Sequence, residues 1–286
     1  MNPDIQHFYH EPSGTISYVV SDPESRHAAV IDAVLGFSVV SGRTDRQPAE
    51  AIVSFVEEKG LKVGWILETH AHADHLSAAE VLKTRLGGKV AIGEGIRLVQ
   101  SHFGPVFNLG DSFSTDGSQF DHLFTDNEEF DIGGLRCRVM HTPGHTNDSV
   151  SYIIGNAAFV GDTLFMTDFG TARCDFPGGD AGLLYDSIQK LFALPDDTMI
   201  CLCHDYPPVE RPIRHVIPLK EQKETNIHIG RGTDRAAFVA MREARDATLS
   251  LPALVLPSIQ VNIQAGRLPA AEDNSIAYIK IPLDTL

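Results

Sequence analysis

The stretch THAHADH, residues 69–75, places three histidines and an aspartate in six consecutive positions, directly after the apolar run WIL at 65–67. A short apolar run of this kind reads as the end of a buried strand. The crowding constrains the fold, because the strand must stop at a cleft and the loop leaving it must be held still enough to aim polar side chains inward. His70, His72 and Asp74 alternate, and His75 breaks the alternation. An extended segment that then turns into a helix would part these groups into two neighbouring clusters. A lone histidine is more often a hydrogen-bonded structural residue than a ligand. Three beside an aspartate point to metal chemistry.

Three later stations have the same form. VMHTPGHTNDS places His145 after a strand and a Pro-Gly turn, AFVGDTLF places Asp162 after a strand and a glycine, and CLCHDYPP places His204 after another strand. Singly, GD or PGH carries little information; the ordered series is specific.

Around these stations the chain alternates. TISYVV (15–20) and HAAVIDAV (27–34) read as strands, PAEAIVSFVEEKG (48–60) as a helix, VGWILET as a strand, HLSAAEVLKTRLGG as a helix and KVAIG as a strand. Such alternation points to an α/β sheet with helices outside it. DIGGLRCRVMHT, SVSYIIG and NAAFVGD read as consecutive short strands, AGLLYDSIQKLFALP (181–195) as a helix and TMICLCH as a strand. Helical stretches follow around 217–229 and 234–248, and the proline-punctuated LPALVLPSIQVNIQAGRLP is expected to wrap the surface. The expectation is one domain over 1–286, with a helical and wrapping extension from about residue 207.

A formal net charge of −15 argues against nucleic acid or an anionic membrane surface as the main partner, since both need a broad basic footprint. No apolar run approaches the length of a membrane span. The opening MNPDIQHFYHEPSG shows no basic region followed by an apolar one, so a cytoplasmic location is expected. Cys137, Cys174, Cys201 and Cys203 are too few and irregular for a disulfide framework and read as reduced. Cys201 and Cys203 alternate on a strand and are expected to be buried; Cys174, in a loop, is the one to test for reactivity.

The series HxHxDH, PGHT, GDTL and a strand followed by histidine resembles the metallo-β-lactamase superfamily, over about residues 13–206. The resemblance implies an α/β fold, the αββα four-layer sandwich, with the metal site at the sheet edge. It implies one metal on His70, His72, His145 and Asp162, and a second on Asp74, His75, His204 and the bridging Asp162. The residue types accommodate one metal or two. The run EPSGTISYVVSDPESRHAAVIDAV, with THAHADH, PGHT, GDTLF and CHDY, is similar to the persulfide dioxygenase branch. That branch implies one Fe(II) per chain on His70, His145 and Asp162, and oxidation of glutathione persulfide by O2 to sulfite and glutathione. His72, Asp74, His75 and His204 then surround the metal or hold a second one. Two histidines and a carboxylate are the ligand set expected of an iron(II) oxygenase.

Two other readings stand beside it. Glyoxalase II, a relative, would use two metals, such as Zn(II), to hydrolyse a glutathione thioester, and a non-catalytic metal-binding sensor or scaffold could keep the same ligands. The branch places an arginine and an aspartate in GRTDF, where this chain reads FGTARCDFPGGD, so Arg173 and Asp175 are the implied counterparts. The longer form resembles bacterial β-lactamase hydrolase-like proteins. Tyr206 could reach the substrate with its hydroxyl or simply cover the core. An acidic chain needs a local basic patch for glutathione's carboxylates, and Arg173, Arg214, Lys220, Lys223 and Arg231 are the candidates. The role admits a homodimer and a sulfurtransferase partner.

Overall fold

The computed structural model describes residues 2–285. Two six-stranded sheets carry the fold. The first takes β1 (Asp4–His10), β2 (Thr15–Ser21), β3 (His27–Ile31), β6 (Lys62–Leu67), β8 (Lys89–Gly93) and β9 (His122–Phe124), in that spatial order. The second takes β10 (Glu129–Ile132), β11 (Leu135–His141), β12 (Val150–Ile154), β13 (Ala157–Phe159), β14 (Met199–Cys201) and β15 (Val216–Pro218). A small third sheet joins β4 (Val34–Ser38), β5 (Arg43–Asp45) and β7 (Leu76–Ser77). The helices are α1 (Gln47–Lys59), α2 (Ala79–Leu86), α3 (Ile96–Val106), α4 (Ala181–Phe192), α5 (Leu219–Thr225), α6 (Arg235–Asp246) and α7 (Val255–Asn262).

The layering follows from the two-residue period of the strands. On β2, Ile16, Tyr18 and Val20 face the second sheet, while Val19 joins the core under α1, α2 and α7. On β3, Ala29 and Ile31 point inward, and Ala28 and Val30 point to the helices. Across the interface, Cys137, Val139, Tyr152, Ile154 and Phe159 meet the first sheet. The outer face of the second sheet, with Ala158 and Ile200, is covered by Leu184, Ile188 and Leu191 of α4 and Phe238 of α6. Helices, sheet, sheet, helices: this is the expected αββα sandwich. Parallel pairing of β3, β6, β8 and β9 requires crossovers, which α1, α2 and α3 supply on one face.

Some segments differ from the sequence reading. HAAVIDAV breaks at Asp32, whose φ of +51° turns the chain out of β3 and into β4. HLSAAEVLKTRLGG becomes helical only from Ala79, since Leu76 and Ser77 pair with β4. The stretch expected to wrap the surface instead forms α7, in which Val255, Ile259, Val261 and Asn262 are buried, with Ile263 just beyond it. Its apolar side chains complete the core shared with α1 and α2; Pro252 precedes the helix and Pro257 sits in its first turn, where proline is tolerated. Among the described residues, no helix is long and apolar enough to cross a membrane.

Candidate metal centre

Each ligand candidate stands just past a strand end: His70 three residues after Leu67, His145 four after His141, Asp162 three after Phe159 and His204 three after Cys201. Asp32 fixes the first loop. Its carboxylate accepts from the Thr69 amide at 2.7 Å and the Thr69 hydroxyl at 2.9 Å. Asp148 accepts from the Ala71 amide at 2.7 Å. The second loop arrives through Gly161, at φ +50°, where a Cβ would lie 2.6 Å from the Thr69 hydroxyl oxygen. Only glycine permits both that backbone and that approach.

These loops bring the predicted residues together. The ligand atoms of His70, His145 and Asp162 all lie within 4.8 Å of one another. Asp162 Oδ2 is 4.0 Å from His70 Nε2 and 3.6 Å from His145 Nε2, and Asp162 Oδ1 is 3.2 Å from His204 Nε2. His204 Nε2 also lies 3.5 Å from Asp74 Oδ2. His72, Asp74 and His75 form a further cluster on the same loop.

Hydrogen bonding sets the tautomers. The Thr69 hydroxyl gives its proton to Asp32, so it accepts from His70 Nδ1–H at 3.1 Å. His145 Nδ1 donates to the Arg173 carbonyl at 2.7 Å, and His75 Nδ1 donates to the Leu76 carbonyl at 3.1 Å. In each ring the lone pair is left on Nε2, the atom turned toward the cluster. This is how a histidine is oriented for a metal. His72 is turned the other way: its Nε2 lies 3.0 Å from Asp32 and 3.8 Å from Glu68.

The residues fit a cation. His70 Nε2, His75 Nε2, His204 Nε2 and Asp162 Oδ1 are buried with no hydrogen-bond partner among the described residues, a costly state that a metal ion relieves. Burial, reinforced by His72, holds His70 well below the ordinary histidine range, and His75 is lowered to about 4 by the same causes. Burial also opposes charge at His204, but Asp162 and Asp74 outweigh it and raise the ring to about 9. A cation at Asp162 therefore competes with the His204 proton. Beneath the loop, burial and then Asp32 push Glu68 up to about 8, whereas at His72 burial is overcome by Asp32 and the ring rises to about 10.

Asp74, His145 and Asp162 form the floor of a cleft walled by Phe165, Phe169, Phe176 and Tyr206. Tyr206 stacks on His204 with ring centroids 5.6 Å apart, and burial pushes its phenol up, so it remains a proton donor. Arg173 lines the cleft and forms a bidentate pair with Asp175, at 2.6 and 2.7 Å; Asp175 itself does not line it.

Four basic candidates lie elsewhere. Arg214 pairs with Glu221 at 3.1 Å, Lys223 with Asp196 at 2.5 Å and Lys220 with Glu224 at 3.8 Å, while Arg231 bonds the Glu224 carbonyl at 3.4 Å. None of the four lines the cleft, and three of them are paired with acidic side chains instead. The cleft's other cations are Arg242 and Arg245, both from α6. Arg242 is buried against Asp246 at 2.6 Å, and Arg245 forms no ion pair among the described residues. The sequence reading missed both; the available signal was two arginines at i and i+3 on one helix. Cys174, the thiol to test for reactivity, is buried, and burial pushes its thiol far up, which disfavours the reactive thiolate.

Comparisons with known proteins agree with this architecture. The family model described as the metallo-beta-lactamase superfamily matches residues 41–204. The chain is 49% identical to glyoxylase B2 of Dictyostelium discoideum over 284 residues, covering 99% of this chain and 97% of that protein. It is 29% identical to the mitochondrial persulfide dioxygenase ETHE1 of Homo sapiens over 205 residues, covering 71% and 68%. The crystal structure of ETHE1 from Myxococcus xanthus superposes with a TM-score of 0.73 at 29% identity, covering 92% of this chain and all of that one. With the two-sheet core and the loop-borne histidines and aspartates in place, the chain belongs to the metallo-beta-lactamase superfamily.

Proposed function

We propose that the chain is a non-haem Fe(II) persulfide dioxygenase that oxidises glutathione persulfide with O2 to sulfite and glutathione. The observation that carries this reading is the convergence of His70, His145 and Asp162 from three loops, with His145 and Asp162 on the floor of one cleft. Two imidazoles and one carboxylate leave coordination positions open, the donor set of iron(II) oxygenases. The likeness to the human and Myxococcus xanthus proteins supports it. Bound there, Fe(II) supplies the redox capacity to activate O2 beside a sulfur ligand, which zinc lacks.

The chain's own residues do the rest. Phe165, Phe169 and Phe176 keep water from the reacting end of the cleft. The Tyr206 phenol donates a hydrogen bond to the substrate sulfur or to its oxidised form. Arg245, on the cleft wall and in no ion pair among the described residues, attracts a glutathione carboxylate. His72, Asp74, His75 and His204 orient the ligands and the loop that bears them.

A dinuclear hydrolase of glutathione thioesters is the second reading. The approach of His204 Nε2 to both Asp162 and Asp74, at 3.2 and 3.5 Å, favours it, because this gathers a second donor set beside the first. The likeness to a protein named glyoxylase B2 points the same way. A sensor would need no cleft running to the ligand atoms. Iron-loaded and zinc-loaded protein, each given glutathione persulfide and a glutathione thioester, separate these readings. The proposal expects O2 uptake with persulfide by the iron form alone. Thioester hydrolysis without O2 uptake by that form would overturn it.

A further inference from the structure

The loop that carries His72, Asp74 and His75 is held from behind by a residue far along the chain. Asn262, the last residue of α7, donates through Nδ2 to the main-chain carbonyls of His72 and His75, each at 2.8 Å, and its Oδ1 accepts from the Ser77 amide at 2.7 Å. A side-chain amide has two donor hydrogens and an acceptor oxygen. Here both hydrogens and the oxygen go to one six-residue turn, and the side chain is buried. The bonds span 185 to 190 residues of sequence.

The same turn feeds a second contact. Ser77 donates from its hydroxyl to Glu68 Oε1 at 2.5 Å, and the other oxygen of Glu68, buried and with no hydrogen-bond partner among the described residues, lies 3.8 Å from His72 Nε2. Asn262 thus fixes the backbone at His72 and His75 directly, and through Ser77 it fixes the carboxylate behind His72. Helix α7 is itself anchored, since Gln100 of α3 donates to the Ile263 carbonyl at 2.9 Å. It lies beyond residue 204, where the family match ends.

We infer that Asn262 is a positioning residue of the metal centre: it holds the His72–His75 turn in the shape that presents Asp74 and His75, and so governs how tightly and in what geometry this loop engages a cation. The inference rests on reading the loop as metal-holding and is independent of whether persulfide is the substrate.

Co(II) binding to the purified full chain tests it without any reaction. Asn262→Asp keeps the shape and the acceptor for Ser77, but sets a carboxylate oxygen against two carbonyl oxygens. Gln260→Ala is the control on the same helix: the Gln260 side chain bonds the carbonyls of Leu256 and Lys280, each within 2.8 Å, rather than the loop. Asn262→Asp is expected to weaken Co(II) binding about 10- to 100-fold and to change the visible Co(II) spectrum, while Gln260→Ala keeps the parent affinity and spectrum even if its melting temperature falls. Should Asn262→Asp not fold, Asn262→Gln, which keeps the amide but displaces it, is expected to show the same two changes. Parent-like affinity and spectrum in the folded Asn262 variant would overturn the inference, as would an equal loss in Gln260→Ala. A parent protein that binds no Co(II) would instead refute the metal-centre reading beneath it.

Discussion

Nδ1 of His145 donates to the main-chain carbonyl of Arg173 at 2.7 Å, so a cleft-wall residue sets the tautomer of a metal-site histidine 28 residues before it. The Arg173 side chain holds that carbonyl in place by bonding Asp175 and the Ser250 carbonyl, the latter at 2.7 Å, and its guanidinium lies over the Phe176 ring at 5.0 Å. Arg173→Ala keeps the carbonyl but frees the segment that carries it. We expect metal affinity to fall about 10-fold, read as iron per chain after dialysis against a chelator. Unchanged iron retention would mean that the backbone alone holds His145.

Asp32 is the corresponding support on the other loop. It binds the Thr69 amide and hydroxyl and lies 3.0 Å from His72 Nε2, all out of solvent. Asp32→Asn removes a buried charge from its partners and presents a donor where the Thr69 hydroxyl needs an acceptor. The cost should be about 3 kcal/mol or more of folding stability, measurable by denaturant unfolding of the metal-free protein. A loss within about 0.5 kcal/mol would contradict the role given to Asp32.

Under the proposed function, substrate charge recognition falls to Arg245 of α6. Arg245→Glu should raise KM for an anionic thiol carrier at least about 10-fold, with a smaller change in kcat, as expected when binding common to ground and transition states is lost. Arg214→Glu, whose guanidinium is paired with Glu221 away from the cleft, should leave KM within about twofold. Steady-state kinetics on the two variants checks both, and the reverse pattern would return the site to the segment around Arg214.

The contrast between α5 and α6 shows what the sequence could reveal. His70, His145, Asp162 and His204 were legible because each is announced locally, by an apolar strand and, for His145 and Asp162, a turn glycine before the ligand. The layered sheets were legible because strand alternation and helix signals are local as well. Arg214 and Lys223 follow the last histidine station in sequence, but proximity in sequence says nothing about which way a side chain faces. Asn262 carries no local mark: its partners lie 185 to 190 residues away, and a single asparagine in a proline-punctuated stretch reads as a loop residue. The break of β3 at Asp32 was hidden because VIDAV looks like one continuous strand.

His228 gives the region behind the cleft a pH dependence. Its Nδ1 accepts from the Thr171 amide at 3.0 Å, which requires a neutral ring. Burial, aided by Arg242 and Arg245, lowers it to about 4. An unfolded chain holds histidine near 6.5, so between about 4 and 6.5 the unfolded state binds more protons and stability rises with pH. The contribution is complete above about 6.5 and lost as pH falls toward 4. His228→Gln should therefore show a smaller drop in melting temperature than the parent between about pH 7 and pH 4.5. Parallel curves would exclude His228 as the source.

Anomalous diffraction at the iron edge, on crystals of iron-grown protein, bears most directly on the centre itself. The account predicts one strong peak bonded to His70 Nε2, His145 Nε2 and an Asp162 oxygen. Two peaks of equal strength, the second held by Asp74, His75 and His204, would contradict it.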